Sequence, residues 1–196
     1  MISDVSVGSH SDNVKTSFLL GYGSGISEDQ IEVVALNGDA ATDYAYNNSI
    51  PVHIRSTTGM ESFIPNCLLK YPDVQCFIPA GSNSHYQIYD SGGDLPVIVV
   101  TGAGDTENET AWDIEFFAPD PLTPEPADAS SYSNPYIAGQ IMKIMDTLDC
   151  TMWEARHRAR MTSSRADNWD AVDGFGLIDV SAALVYSGEI PADPYV

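Results

Sequence analysis

Four short runs rich in apolar and β-branched residues, at positions 31–36, 51–56, 74–79 and 96–101, constrain this chain more than any other feature. Each has about the length of one buried strand. The segments between them, 40–47, 60–70 and the Gly/Ser/Asp-rich stretch 81–94, are of the kind that form helices or turns. Such alternation predicts an α/β protein with a parallel sheet and covering helices. With 196 residues, 43% of them hydrophobic, the chain can bury one sizeable core and reads as a single domain.

A fifth apolar stretch, 112–118, ends at Pro119, and Pro121, Pro124 and Pro126 then forbid a regular helix, so 120–128 reads as a loop. Beyond it Ile137, Ile141, Ile144, Met145 and Leu148 recur at helical spacing, and Pro135 suits a first helical turn, which predicts a buried helix over 136–148. Further helices are predicted over 150–162 and 180–186. Two prolines extend the last segment, so the domain is set at 1–189 and the tail at 190–196. No internal repeat is visible.

Eight Lys and Arg against 28 Asp and Glu give a net charge of -20, a field that repels phosphate backbones and anionic headgroups. Neither nucleic acid nor a membrane is expected as a partner. No run of eighteen apolar residues occurs, and the start lacks the basic and apolar segments of a signal peptide. Cys67, Cys76 and Cys150 are odd in number and lack zinc-site spacing, so they read as buried free thiols. Calcium-loop spacing is absent too, and no metal or cofactor is expected. Arg156, Arg158, Arg160 and Arg165 hold half of the positive charge and are expected to pair with nearby carboxylates.

Nucleophilic serine catalysis needs a serine at a tight turn, a histidine to take its proton, a group that orients the histidine, and donors for the oxyanion. Ser131 stands in Ala129-Ser130-Ser131-Tyr132-Ser133-Asn134-Pro135, just ahead of the apolar helix, where helix-terminal amides favour an alkoxide. On composition alone, a serine there is also an ordinary helix cap.

The same segment resembles the nucleophile motif of the subtilase family, Gly-Thr-Ser followed after three residues by Pro, and Pro135-Tyr136-Ile137-Ala138-Gly139 resembles that family's Pro-x-Val-Ala-Gly helix start. Upstream, Asp113-Ile114-Glu115-Phe116-Phe117-Ala118-Pro119 is similar to the strand ending in Ala-Pro-Gly before the nucleophile loop. Downstream, Gly174-Phe175-Gly176-Leu177-Ile178-Asp179 and the following residues are similar to the closing Gly-x-Gly-x-Ile-Asp signature. The resemblance implies a three-layer subtilisin-like fold, with a mainly parallel sheet flanked by helices and reduced at its N-terminal side. It also implies serine endopeptidase chemistry, with Ser131 as nucleophile.

In that register Ser9-His10-Ser11-Asp12-Asn13-Val14 resembles the histidine motif and makes His10 the base. The family's glycine and threonine are replaced by Ser11 and Asp12, which sets a carboxylate where a small residue normally packs. Pro79-Ala80-Gly81-Ser82-Asn83 resembles the strand end that carries the family's oxyanion asparagine and implies that role for Asn83, displaced by one residue.

The acid is the discrepancy. In subtilases it ends a strand upstream of the histidine, and the resemblance places that strand inside the sheet, between those at 31–36 and 51–56. Only nine residues precede His10, too few for that strand, the next one and their loops, so Asp4 reads first as a surface aspartate and only second as a replacement acid that swings toward His10. A gap in the sheet is therefore expected, closed by direct pairing of its neighbours, by a strand from another chain, or by sequence upstream of Met1. Loss of the aspartate alone costs about 3 × 10⁴ in turnover in subtilisin itself, roughly 6 kcal/mol. The expectation is thus a peptidase of weak or lost activity on peptide or protein substrates. The alternative is a catalytically silent assembly module with protein partners, such as a bacteriophage virion protein, which the shortened stretch 36–51 also favours.

Overall fold

The computed structural model describes residues 1–3, 8–36, 38–55, 63–79, 97–102, 114–119, 121–122, 129–166, 168–170 and 173–196. The strands are β1 (Ile2–Ser3), β2 (Val33–Val34), β3 (Val52–Arg55), β4 (Gln75–Pro79), β5 (Val97–Gly102) and β6 (Ile114–Ala118). They form one sheet in the order β2-β1-β3-β4-β5-β6, and every neighbouring pair is parallel. The helices are α1 (Ser9–Tyr22), α2 (Gly38–Asn47), α3 (Phe63–Lys70), α4 (Ala129–Leu148), α5 (Met152–Thr162) and α6 (Val180–Val185).

Strand alternation divides the apolar side chains between two helical layers. Ile2, Val52, Ile54, Phe77, Val100 and Phe116 pack with α1, α4, α5 and α6 on one face. Met1, Val74 and Cys76 pack with Ala41 and Ala45 of α2 and Cys67 of α3 on the other. The result is the three-layer α/β architecture expected from the alternating runs.

The expected gap does not exist. Ile2 and Ser3 form β1 between the two flanking strands, in register with Val33 and Val34 on one side and with Ile54 and Arg55 on the other. The Ile2 amide donates to the Glu32 carbonyl at 2.8 Å, and the Ile54 amide donates to the Met1 carbonyl at 2.9 Å. Ile2 is fully buried. A strand this short escapes pattern reading, because its order comes from two neighbours distant in sequence rather than from its own periodicity.

Two other expectations are corrected. Cys67 and Cys76 form a disulfide, their Cα atoms 6.3 Å apart, and Cys150 alone is free; only the packing of α3 on β4 brings that pair together. Helix α4 begins at Ala129, not at Pro135, so Ser131 lies inside the first turn. Pro135 offers no N–H to the carbonyl four residues back, that of Ser131.

The arginines pair as expected. Arg158 meets Glu154 at 2.7 Å, and Arg165 meets Asp170 and Asp173. Arg156 and Arg160 converge on the buried Glu115 of β6 at 2.6 and 2.7 Å. The extended tail lies against the body through Trp153 Nε1, which donates to the Pro191 carbonyl at 2.8 Å, and through Tyr71, which donates to Asp193.

Helices α1 and α4 cross with their backbones in contact. A Cβ on Gly21 would strike the Tyr136 carbonyl, and one on Gly139 would strike the Phe18 carbonyl and the Tyr22 amide. Both obstacles are main chain and cannot move aside. Alanine is the better helix former by about 1 kcal/mol, yet overpacking costs about 1–3 kcal/mol. Gly139→Ala is therefore expected to lower stability by up to about 2 kcal/mol in urea unfolding, and a raised midpoint would contradict the close crossing.

Candidate active site at the carboxyl edge of the sheet

Side chains of α4 anchor its first turns to the ends of three strands. Ser133 Oγ donates to the carbonyl of Ala118, the last residue of β6, at 2.7 Å. Asn134 Nδ2 donates to the carbonyl of Arg55, the last residue of β3, at 2.6 Å, and to that of Phe77 in β4 at 3.4 Å. Both side chains are fully buried. The amino end of α4 thus rests on the carboxyl edge of the sheet, where open parallel sheets receive ligands. Ser131, half-buried, sits one turn before Asn134, among helix-terminal amides suited to negative charge.

His10 occupies the first turn of α1. That turn is closed locally: the Gly8 amide donates to Ser11 Oγ at 2.9 Å, Ser11 Oγ donates to the Gly8 carbonyl at 2.8 Å, and the Asp12 amide donates to the same carbonyl at 3.0 Å. The His10 ring lies 5.5 Å from the ring of Tyr132, centroid to centroid, at an interplanar angle of 39°. Asn13 Nδ2 reaches the Tyr132 hydroxyl at 3.4 Å. The amino ends of α1 and α4 therefore meet, with His10 against the residue that follows Ser131. Asp12, feared as an intruding carboxylate, is exposed, because its position on the first turn faces away from the sheet. Asn83 and Asp4 lie outside the described residues.

Directly under β1 is a polar network that sequence reading missed. Ser3 Oγ and His53 Nε2 are 2.6 Å apart, and Thr42 Oγ1 and His53 Nδ1 are 3.2 Å apart, all three residues buried. No local signal announces it, since His53 alternates with apolar residues on β3 like any half-polar strand position. Burial pushes the His53 imidazole from 6.5 down to about 3, and the chain's amino terminus and Arg55 add repulsion. His53 is accordingly neutral.

Among the described residues no cluster of three or more His, Cys, Asp or Glu could hold a metal ion. No helix among them is long and apolar enough to cross a membrane. A cavity of about 470 Å³, lined by Tyr71, Met142, Met145, Trp153 and Asp193, lies at the opposite edge, beside the amino ends of β3 and β4.

No protein-family model matches the sequence, and no curated protein matches it. Solved structures match the fold. Fervidolysin from Fervidobacterium pennivorans, a keratinolytic enzyme related to subtilisin, aligns at 18% identity with a TM-score of 0.58, over 78% of this chain and 29% of that one. MycP1 with its N-terminal propeptide removed aligns at 16% identity with a TM-score of 0.62, over 81% and 68%. A chain of an intact ESX-5 inner membrane complex aligns at 15% identity with a TM-score of 0.56, over 80% and 50%. This chain thus spans less than a third of fervidolysin and half of the ESX-5 chain. The architecture is that of the subtilisin-like proteases.

The low value for His53 carries a sign. Between about 3 and 6.5 the unfolded chain binds a proton that the folded one refuses, so stability rises with pH across that window. It is fully present above about 6.5 and is lost on acidification by up to about 1.4 kcal/mol per pH unit. Urea midpoints taken from pH 7 to pH 4 are expected to fall more steeply for the wild type than for His53→Asn; parallel curves would contradict a buried neutral imidazole.

Proposed function

We propose that this chain is a serine-peptidase domain in which Ser131 is the nucleophile, His10 the general base, Asp4 the acid that orients His10, and Asn83 an oxyanion donor. The observation that carries this reading is the meeting of the amino ends of α1 and α4 at the carboxyl edge of the sheet, with the His10 ring packed on the residue next to Ser131. In such a site Ser131 Oγ attacks the carbonyl carbon of a peptide as His10 accepts its proton. His10 then returns that proton to the leaving amine, and water releases the acyl group by the same route.

What supports Asp4 is β1. The strand fills the position that the subtilase resemblance gives to the aspartate strand, and Asp4 follows its last residue in the sequence. Nearness in sequence to His10 is then no objection. Six peptide steps from Ser3 to Ser9 reach up to about 20 Å, enough to leave the strand and enter α1. Asn83 is supported only by its place four residues beyond β4.

A second reading, a silent protein-binding module in an assembly or a virus particle, is favoured by the occurrence of this fold within the ESX-5 complex. Labelling with a fluorophosphonate probe separates the two. The wild type is expected to carry an adduct on Ser131 and Ser131→Ala none, while Asp4→Asn slows labelling on the order of 10⁴-fold, a cost established on subtilisin. A folded wild type that does not react would overturn the peptidase reading and leave the assembly role. Labelling of Asp4→Asn at the wild-type rate would remove Asp4 alone.

A further inference from the structure

We infer that Tyr132 is a positioning residue for His10, its ring fixing the imidazole in register with Ser131; this rests on the peptidase reading above. A general base must lie within about 2.6–3.2 Å of the proton it takes, and a displacement of 1 Å can cost about 10²-fold in rate. His10 sits at the start of a helix, where a side chain has few turns of its own element to lean on. The resemblance adds a local change at this point: the glycine and threonine that follow the base in subtilases are here Ser11 and Asp12. Ser11 is used up in closing the turn on Gly8, and Asp12 is exposed. The ring of Tyr132, 5.5 Å away and tilted by 39°, is within the range of a favourable aromatic pair.

Tyr132 is itself fixed from two sides. Its side chain is 9% exposed, and its hydroxyl accepts from Asn13, three residues beyond His10 on the same helix. On the other side its backbone runs between Ser131 and Ser133, and Ser133 is tied to the end of β6. Any shift of the first turn of α4 therefore moves nucleophile and ring together. A contact made by the residue adjacent to Ser131 registers the imidazole against the hydroxyl in a way that a contact from elsewhere in the fold could not.

Two measurements on the intact chain test this. In the wild type, nuclear Overhauser contacts between the His10 and Tyr132 ring protons are expected, and their absence overturns the inference without any variant having to fold. Tyr132→Leu, checked for folding by circular dichroism, is expected to shift the His10 ring resonances and to slow fluorophosphonate labelling of Ser131 about 10–100-fold. Tyr132→Phe keeps the ring and is expected to recover labelling to within about threefold of wild type. Wild-type labelling in Tyr132→Leu, or Tyr132→Phe as slow as Tyr132→Leu, would overturn the positioning role while the peptidase reading stands. An unreactive wild type sinks the peptidase reading first, and the inference with it.

Discussion

A strand of two residues joins one edge of the sheet to the rest of it. Ile2 and Ser3 pair with β2 on one side and β3 on the other, so without them the edge strand Val33–Val34 would have no partner and the end of β3 would face an open slot. Unpaired backbone groups in a covered sheet cost about as much as lost hydrogen bonds, and β1 removes that cost from both neighbours at once. Its hold is not only main chain: Ile2 is buried under α1 and α4, and Ser3 is tied to His53 on the opposite face. From that anchored end the chain needs only a short link to reach α1, which brings His10 to the carboxyl edge.

The opposite half of the molecule is set by charge. Glu115 in β6 receives both Arg156 and Arg160 from α5, and the Trp153 ring lies 5.8 and 5.7 Å from the two guanidinium carbons. Burying three charges is costly, and such clusters add little stability over an apolar core, but removing one member leaves the others unpaired at a cost of about 3–5 kcal/mol. The geometry permits essentially one placement of α5 against β6. The loop carrying Gly174 and Phe175 then closes on Glu115, whose carbonyl accepts from the Phe175 amide at 2.8 Å. Gly174, at φ 58°, approaches that carbonyl too closely for any side chain. This is the physical content of the closing glycine signature seen in the sequence.

What could be read from the sequence was local. The strands at 51–56, 74–79, 96–101 and 112–118 announced β3 to β6 by apolar runs, and the spacing of Ile137, Ile141 and Ile144 announced the body of α4. Ser131 and His10 were singled out because their neighbours resemble motifs, and what the structure bears out of those motifs is the helix starts, α1 at Ser9 and α4 at Ala129. The parts that stayed hidden are made by partners far apart in the chain. β1 needs Glu32 and Ile54, the disulfide needs α3 laid on β4, and the His53 network needs Ser3 and Thr42 from other elements. The expected gap in the sheet failed for the same reason: counting residues before His10 assumed a long strand, whereas pairing on both sides lets two residues suffice.

The insertion of β1 is the claim on which the account of the site stands, and it can be read at one amide. The Ile54 N–H donates to the Met1 carbonyl, so native-state hydrogen exchange at Ile54 should be as slow as at Ile141 in the buried body of α4, opening only with the whole fold. Exchange at Ile54 near the rate of an unprotected peptide, while Ile141 remains protected, would mean that β1 is not seated in the sheet.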